Sequence, residues 1–303
     1  MRDLGASVLA RLKMKSRSTK MPLQLHLRLF CQEEFMRRLA ISHYADNLIL
    51  KGGLLLFALS QFDSRATTDI DFLLKRVPGT AEEVSRIVEE IINIPSGHDF
   101  VTFEMRNFQE IMLHRKYQGI SVQLIGRIKN TVTSFTIDLG IGDVVVPKIE
   151  KRLMPTQLAD FEPPEINTYS LESTVAEKFD AMLERMELTS RLKDYYDIHF
   201  LATTFDFDGR ILQEAIMATL ENRGTAFDAS SFTAILSFAE DPQMITKWKH
   251  FLRKSKLPSL EFKDVLNILE LFLGEIWNAM ITEDEWLMMW DCQTRRWLVY
   301  SEN

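Results

Sequence analysis

The stretch Leu50-Lys51-Gly52-Gly53-Leu54-Leu55-Leu56-Phe57-Ala58-Leu59, followed by a polar connection to Arg65-Ala66-Thr67-Thr68-Asp69-Ile70-Asp71-Phe72, decides the fold. It reads as a glycine turn, a short apolar helix and a strand that ends in two carboxylates. In a strand, side chains alternate between faces, so Asp69 and Asp71 share one face while Ile70 points to the core. Two carboxylates held that close repel each other unless a cation lies between them. Hard oxygen ligands in that arrangement suit Mg²⁺ completed by substrate phosphates. The glycines of Lys51-Gly52-Gly53 let backbone approach an anion closely, and the helix start that follows favours negative charge. A Gly-Gly pair alone is most often a turn, and an Asp-x-Asp alone is most often a solvated strand edge. Their order, with one apolar helix between them, describes a phosphoryl or nucleotidyl transfer site.

Further along, Thr136-Ile137-Asp138-Leu139 supplies a third strand carboxylate, which would help complete a metal clamp. Asp143, in the Gly140-Ile141-Gly142 turn, competes for that role, although Asp in such a turn commonly serves backbone conformation. From Pro147 to Pro164 four prolines make the chain irregular, which marks an expected domain boundary. The segment after it, Leu171 to Phe179, opens a helix with Ser170 as N-cap and Ser173 as the alternative. Leu171, Val175, Phe179 and Met182 share its apolar face, and Lys178 falls on that same face. Lys178 either packs its stem and sends its head to water, or reaches a triphosphate. Arg191-Leu192-Lys193-Asp194-Tyr195-Tyr196-Asp197 opens the next helix, with Asp194 and Asp197 on one face.

These segments resemble the AbiEii/AbiGii toxin family, nucleotidyltransferase-like toxins of type IV toxin–antitoxin and abortive-infection systems. Lys51-Gly52-Gly53 and Arg65-x-Thr67-x-Asp69-Ile70-Asp71-Phe72 match its first motifs. Ala176-Glu177-Lys178 and Arg191-x-Lys193-Asp194-x-x-Asp197 match the later ones. The resemblance covers roughly residues 25 to 205. It implies an α+β fold, with a nucleotidyltransferase-like domain around a small mixed sheet and then a C-terminal helical domain. It implies Mg²⁺ on Asp69, Asp71 and Asp138, and catalytic roles for Asp69, Asp71, Lys178 and Asp194, with Asp197 in support. Lys51, Gly52, Gly53, Arg65 and Thr67 would bind the nucleotide. The implied reaction is transfer of nucleotides from an NTP to an RNA acceptor, the tRNA 3′ end in some relatives, by a growth-inhibiting toxin with a cognate antitoxin. Transfer to a protein or small-molecule hydroxyl, or non-catalytic nucleotide binding, are the rival readings.

The 303 residues, 46% hydrophobic and 26% charged, are an ordinary globular composition of more than one unit. The expected division is an N-terminal helical segment 1–45, a catalytic domain 46–150 and a helical domain 151–303. No apolar run approaches the ~18 residues of a membrane span, and the basic N-terminus lacks a secretory pattern, so a cytoplasmic protein is expected. Cys31 and Cys292 lack metal spacing and read as reduced thiols in packed helices. The net charge of −7 gives no global attraction to nucleic acid, so an RNA acceptor would need a local basic patch. Lys13, Lys15, Arg17 and Lys20 are one candidate, with a solvated tail the plainer reading; Arg37 and Arg38 could reach a nucleotide, with a solvated surface role the plainer reading.

Between these motifs, helices are expected over 22–45, 81–92, 210–222, 229–239, 242–254, 261–280 and 283–291. Strands are expected over Val101–Met105, Glu110–Tyr117, Ser121–Ile128 and Ser134–Leu139. The tryptophans of the C-terminal third read as core.

Overall fold

The computed structural model describes residues 3–62, 64–114, 117–185 and 191–299. The chain forms two compact units. Met1–Gly142 joins Glu150–Thr168 in the first, and Asp143–Ile149 joins Tyr169–Asn303 in the second. The division therefore differs from the one expected near residue 150, because the chain crosses between units twice before it stays in the second.

The first unit is a seven-stranded mixed sheet in the order β3-β4-β5-β2-β1-β7-β6. Its centre is β1 (Leu48–Lys51), β2 (Asp69–Leu74) and β5 (Thr131–Ile141). β1 runs antiparallel to β2, and β2 runs parallel to β5. On one side β3 (Val101–His114) and β4 (Tyr117–Ile128) extend the sheet as a long hairpin. β3 fuses the strands expected at Val101–Met105 and at Glu110–Tyr117; residues 115 and 116 of the latter lie outside the described residues. On the other side β7 (Glu165–Thr168) pairs with β1, and β6 (Glu150–Leu153) forms the edge. The proline-rich stretch thus contains a strand that the sequence did not suggest.

The helices follow their patterns. α2 (Leu23–Ala40) matches the expected N-terminal helix and packs on β5 and β7. Its Cys31 sits against Gly126, where an added Cβ would lie 2.6 Å from the sulfur. Gly126 pairs with Thr133 on the buried face of β5, opposite the face of Asp138. α2 therefore covers the sheet face turned away from the carboxylates. α4 (Ala81–Ile92) buries Val84, Ile87, Val88, Ile91 and Ile92 at helical spacing, and the Thr80 hydroxyl caps it by accepting from the Glu83 amide. α1 (Leu4–Thr19) is an ordered helix, not a tail. Val8 and Leu12 join Leu27, Phe30, Val101, Ile128 and Phe161 in one core cluster.

Arg37 and Arg38 are buried, against expectation. Arg37 lies 3.4 Å from Glu33 and 3.3 Å from Glu34, and Arg38 donates to the carbonyls of Ile92 and Val101. Glu34 also meets His98 at 2.7 Å, and Glu33 accepts from the Gln157 amide at 2.8 Å. Charges at consecutive positions of α2 therefore face inward as a paired network. A period count cannot separate this from a solvated stripe.

The second unit contains α5 (Leu171–Arg185), α6 (Leu192–Thr204), α7 (Gly209–Arg223), α8 (Ala229–Ser237), α9 (Pro242–Ser255) and α10 (Phe262–Thr282). A three-stranded sheet joins them, in the order β10 (Arg296–Val299), β9 (Met288–Asp291) and β8 (Phe207–Asp208). β9 replaces the helix expected over 283–291, and Cys292 lies in the turn after it rather than in a helix. Trp248, Trp277 and Trp290 are buried as expected, and Trp290 donates to the Ala202 carbonyl, whereas Trp286 and Trp297 are half-buried. α10 is, among the described residues, long and apolar enough by length and composition to cross a membrane. Glu270 and Glu275 broke that run in the sequence, and 56% of the apolar window is buried inside the protein.

Candidate active site

The two β2 carboxylates open the strand rather than end it, since β2 begins at Asp69. Ile70 is fully buried between them, as the alternation requires. β5 lies beside β2 with Asp69 opposite Thr136 and Asp71 opposite Asp138. Residues in register on neighbouring strands point to the same face, so Asp69, Asp71 and Asp138 form one acidic patch. Ser121, opposite Asp138 on β4, donates to Asp138 Oδ1 at 2.6 Å, and Thr68 donates to Asp69 Oδ2 at 3.0 Å. These hydroxyls orient the carboxylates. Ser121 escaped the sequence reading because its role depends on a cross-strand register that no local signal specifies.

The glycine turn is built onto this patch. Lys51 ends β1 directly opposite Asp71 and is buried. Gly52 then starts α3 (Gly52–Leu59) with φ of +69°, the left-handed region that glycine enters without cost. A Cβ at Gly52 would lie 2.2 Å from Asp71 Oδ2, so only a glycine fits. A Cβ at Gly53 would meet the Thr67 hydroxyl at 3.1 Å and Arg65 Nη1 at 3.4 Å. Lys51, Gly52, Gly53, Arg65, Thr67 and Asp71, drawn from three separate segments, thus converge at the start of α3. Gln32 of α2 donates to the Thr68 carbonyl at 3.0 Å and fixes the loop that carries Arg65 and Thr67.

Among the described residues no group of three His, Cys, Asp or Glu is closed tightly enough to hold a metal ion unaided. Asp69, Asp71 and Asp138 share one sheet face beside the glycine turn without forming such a group; hard carboxylate oxygens of this kind are the ligand type that Mg²⁺ takes when substrate phosphates and water supply the rest.

In the second unit, Ser170 caps α5 through a 3.1 Å bond from the Ser173 amide, which decides between the two candidate caps. Ser173 instead takes the Val146 amide at 2.8 Å. Lys178 is buried on α5, and its head does not escape to water. Its Nζ lies 2.5 Å from Asp197 Oδ2 and 3.4 Å from Asp194 Oδ1, both on α6. Arg191 Nε lies 2.8 Å from Asp194 Oδ2. Asp197, assigned a supporting place, makes the shorter contact to Lys178. Asp143, the rival of Asp138, belongs to this unit and pairs with Arg223 at 3.0 Å. Glu177 and Asp180 of α5 complete the set around Arg223 at 2.6 and 2.9 Å. Burial alone would lower the Arg223 pKa; Glu177, Asp143 and Asp180 outweigh it and raise the pKa.

The family model for the nucleotidyl transferase AbiEii toxin of type IV toxin–antitoxin systems matches residues 34–268. The chain belongs to that family. Its activity class is thereby nucleotidyl transfer, and a type IV system implies a nucleotide substrate and an antitoxin partner. Among solved structures the fold is similar to MenT4, a nucleotidyltransferase toxin from Mycobacterium tuberculosis H37Rv. That match has a TM-score of 0.52 and 14% identity, and covers 90% of this chain and 99% of that one. JHP933 from Helicobacter pylori aligns with a TM-score of 0.47 and 14% identity over 86% of this chain and 93% of that one. No curated protein matches the sequence.

Proposed function

We propose that this member of the family transfers nucleotides from an NTP to an RNA acceptor, the 3′ end of tRNA, with Mg²⁺ held by Asp69, Asp71 and Asp138. Growth inhibition would follow until the antitoxin intervenes. One observation carries the reading: three carboxylates share a sheet face on which Gly52 is seated so closely that no other residue fits.

The acceptor hydroxyl oxygen attacks the α-phosphorus of the NTP and forms the new phosphodiester bond. The bond from that phosphorus to the oxygen bridging toward the β-phosphate breaks, and pyrophosphate leaves with the electron pair. The hydroxyl proton passes to a strand carboxylate and on to solvent. When bound, Mg²⁺ neutralises phosphate charge and makes the acceptor oxygen a better nucleophile. The chain supplies the positioning. Backbone at Gly52 and Gly53 lies against the phosphates, with Arg65 and Thr67 behind it. In the second unit Asp194 and Asp197, both buried, hold the Lys178 side chain between them, which fits Asp194 better as a positioning residue than as a general base.

The experiment is incubation with Mg²⁺, each α-labelled NTP and total tRNA, wild type beside Asp71→Ala. Label entering tRNA with wild type alone supports the reading and names the nucleotide. Label entering only protein in a cell lysate assigns a protein hydroxyl as acceptor. Equal labelling by both proteins removes the carboxylates from the site.

A further inference from the structure

The sheet face that carries Asp69, Asp71 and Asp138 continues past them onto the β3–β4 hairpin. Strand register aligns two rows of side chains across it. One row runs Lys51 on β1, Asp71 on β2, Asp138 on β5, Ser121 on β4 and Gln109 on β3. The other runs Asp69, Thr136, Gln123 and Asn107 over the last four of those strands. The carboxylates therefore divide the face. The Lys51-Gly52-Gly53 turn lies on their β1 side, and hydroxyls and side-chain amides lie on their β4–β3 side. Asn107, Gln109 and Gln123 are exposed in the folded chain, whereas Val122 and Leu124, which point to the opposite face, are fully buried.

A polar outer face is ordinary for an antiparallel hairpin, but this one has a neutral patch built into it. The register shifts between Met105 and Asn107, which makes Arg106 the extra residue of a β-bulge. By plain alternation from Thr102 and Glu104, the guanidinium of Arg106 would stand opposite Gln123. The bulge puts the Asn107 amide there instead. Glu104, the charge next along β3 on this face, is already paired with Arg127 at 2.9 Å and with Arg106 at 3.1 Å. What meets a ligand beside the carboxylates is thus a set of amides, each of which both donates and accepts. Phosphate only accepts and calls for cations, whereas the edge of a nucleobase offers donors and acceptors together.

The chemistry selects the same side. Transfer is an in-line displacement, so the acceptor oxygen approaches from the side opposite the leaving group. With the departing phosphates on the Gly52-Gly53 turn, the acceptor hydroxyl comes in over β5 and β4. Gln123 and Asn107 then stand one and two strands beyond β5, about 5 and 10 Å away. A nucleoside carries its hydrogen-bonding edge on the far side of the sugar from its hydroxyl, which suits that offset.

We infer that Gln123 and Asn107 bind the terminal nucleobase of the RNA acceptor and set which 3′ nucleotide is accepted. This rests on the proposed RNA acceptor. The test uses full-length protein and RNA hairpins that differ only in a 3′-terminal A, C, G or U, wild type beside Gln123→Ala/Asn107→Ala. Transfer from α-labelled NTPs gives kcat and KM for each hairpin and KM for the NTP. Binding of the same hairpins, fluorescein-labelled, is measured with Mg²⁺ and the α,β-methylene NTP analogues, which block transfer. Thermal melting is followed on the same samples. The expected wild type prefers one terminus by about tenfold or more. The double variant loses that preference to within about twofold and raises the hairpin KM about tenfold, with NTP KM and melting temperature unchanged. Gln123→Glu, which keeps the side-chain size and exchanges the amide donor for an acceptor, shifts the preference toward cytosine.

A wild type indifferent to the terminal base overturns the inference, as does a double variant that keeps both preference and KM. The two readings fail separately. Terminus-selective hairpin binding that the double variant abolishes, without label transfer to any RNA, would leave the base site standing and remove RNA as the acceptor. Label transfer to RNA that ignores both variants would do the reverse. Label entering only protein, with no selective hairpin binding, would remove both.

Discussion

At Gly52 one hydrogen atom decides whether the site exists. The residue has φ of +69° and Asp71 Oδ2 stands where a Cβ would be. Gly52→Ala meets both costs, a left-handed conformation worth about 1–2 kcal/mol and a collision that displaces the Asp71 carboxylate. We expect a lower melting temperature and a transfer rate reduced by about 100-fold, the scale of a 1 Å misplacement at a reacting centre. A variant that melts lower but transfers normally would detach the glycine turn from catalysis. Lys178 poses a different residue-scale question, because its head is buried between two carboxylates. Lys178→Met takes this shared cation from both carboxylates, with Arg191 remaining on Asp194, and is expected to cost up to about 3–5 kcal/mol. The triple variant Lys178→Met/Asp194→Asn/Asp197→Asn should recover most of that stability in a denaturant titration while transfer stays lost. Recovery of activity with stability would make Lys178 purely structural. Sequence periodicity placed Lys178 on the apolar face of its helix correctly. The partners that neutralise it came into view only with the packing of α6 on α5.

At the scale of elements, α2 has a measurable signature. Burial pushes the Glu33 carboxyl up to about 8, and Arg37, the Gln157 amide and Lys15 pull against it without prevailing. The folded state then holds a proton that the unfolded state releases near the ordinary carboxylate pKa. The stabilisation is full below that ordinary value and is lost as pH rises toward 8. Glu33→Gln should flatten the decline of melting temperature between pH 5 and pH 9, with the largest relative gain at the alkaline end. Identical slopes for wild type and variant would refute the assignment. His199 on α6 has the opposite sign. Burial, with Arg295 adding to it, lowers its pKa to about 4, so its contribution is lost as pH falls from about 6.5 toward 4. The two effects occupy different ends of the pH range and can be separated. The charges of α2 show why helical elements are easier to locate than to orient. Glu33, Glu34, Arg37 and Arg38 satisfy one another at i, i+3 and i+4 whether they face water or the core, and distant partners, the carbonyls of Ile92, Val101 and Glu162 with His98 and the Gln157 amide, hold them inward.

For the whole molecule, the order in which the chain visits its two units sets how it can be cut. A fragment ending at residue 150 loses β7, the parallel partner of β1, and leaves the strand that enters the Lys51-Gly52-Gly53 turn as an open edge. We expect fragment 1–150 to aggregate, as exposed edges do, and fragment 1–168 to remain dispersed in size-exclusion chromatography. Equal behaviour would show that β6 and β7 are dispensable to the sheet. The sequence by itself determined the class of fold, the pairing of a glycine turn with an Asp-x-Asp strand, and the family. Each of these depends on spacing within a few residues, where period 2 and period 3.6 leave few alternatives. The tertiary structure alone decided that Asp138 lies opposite Asp71 while Asp143 pairs with Arg223. It also turned the charges of α2 inward, made a hairpin strand of the segment after α10, and returned residues 150–168 to the first sheet. Those outcomes follow from register and from contacts between residues distant in sequence, where burial and charge pairing outweigh local preference.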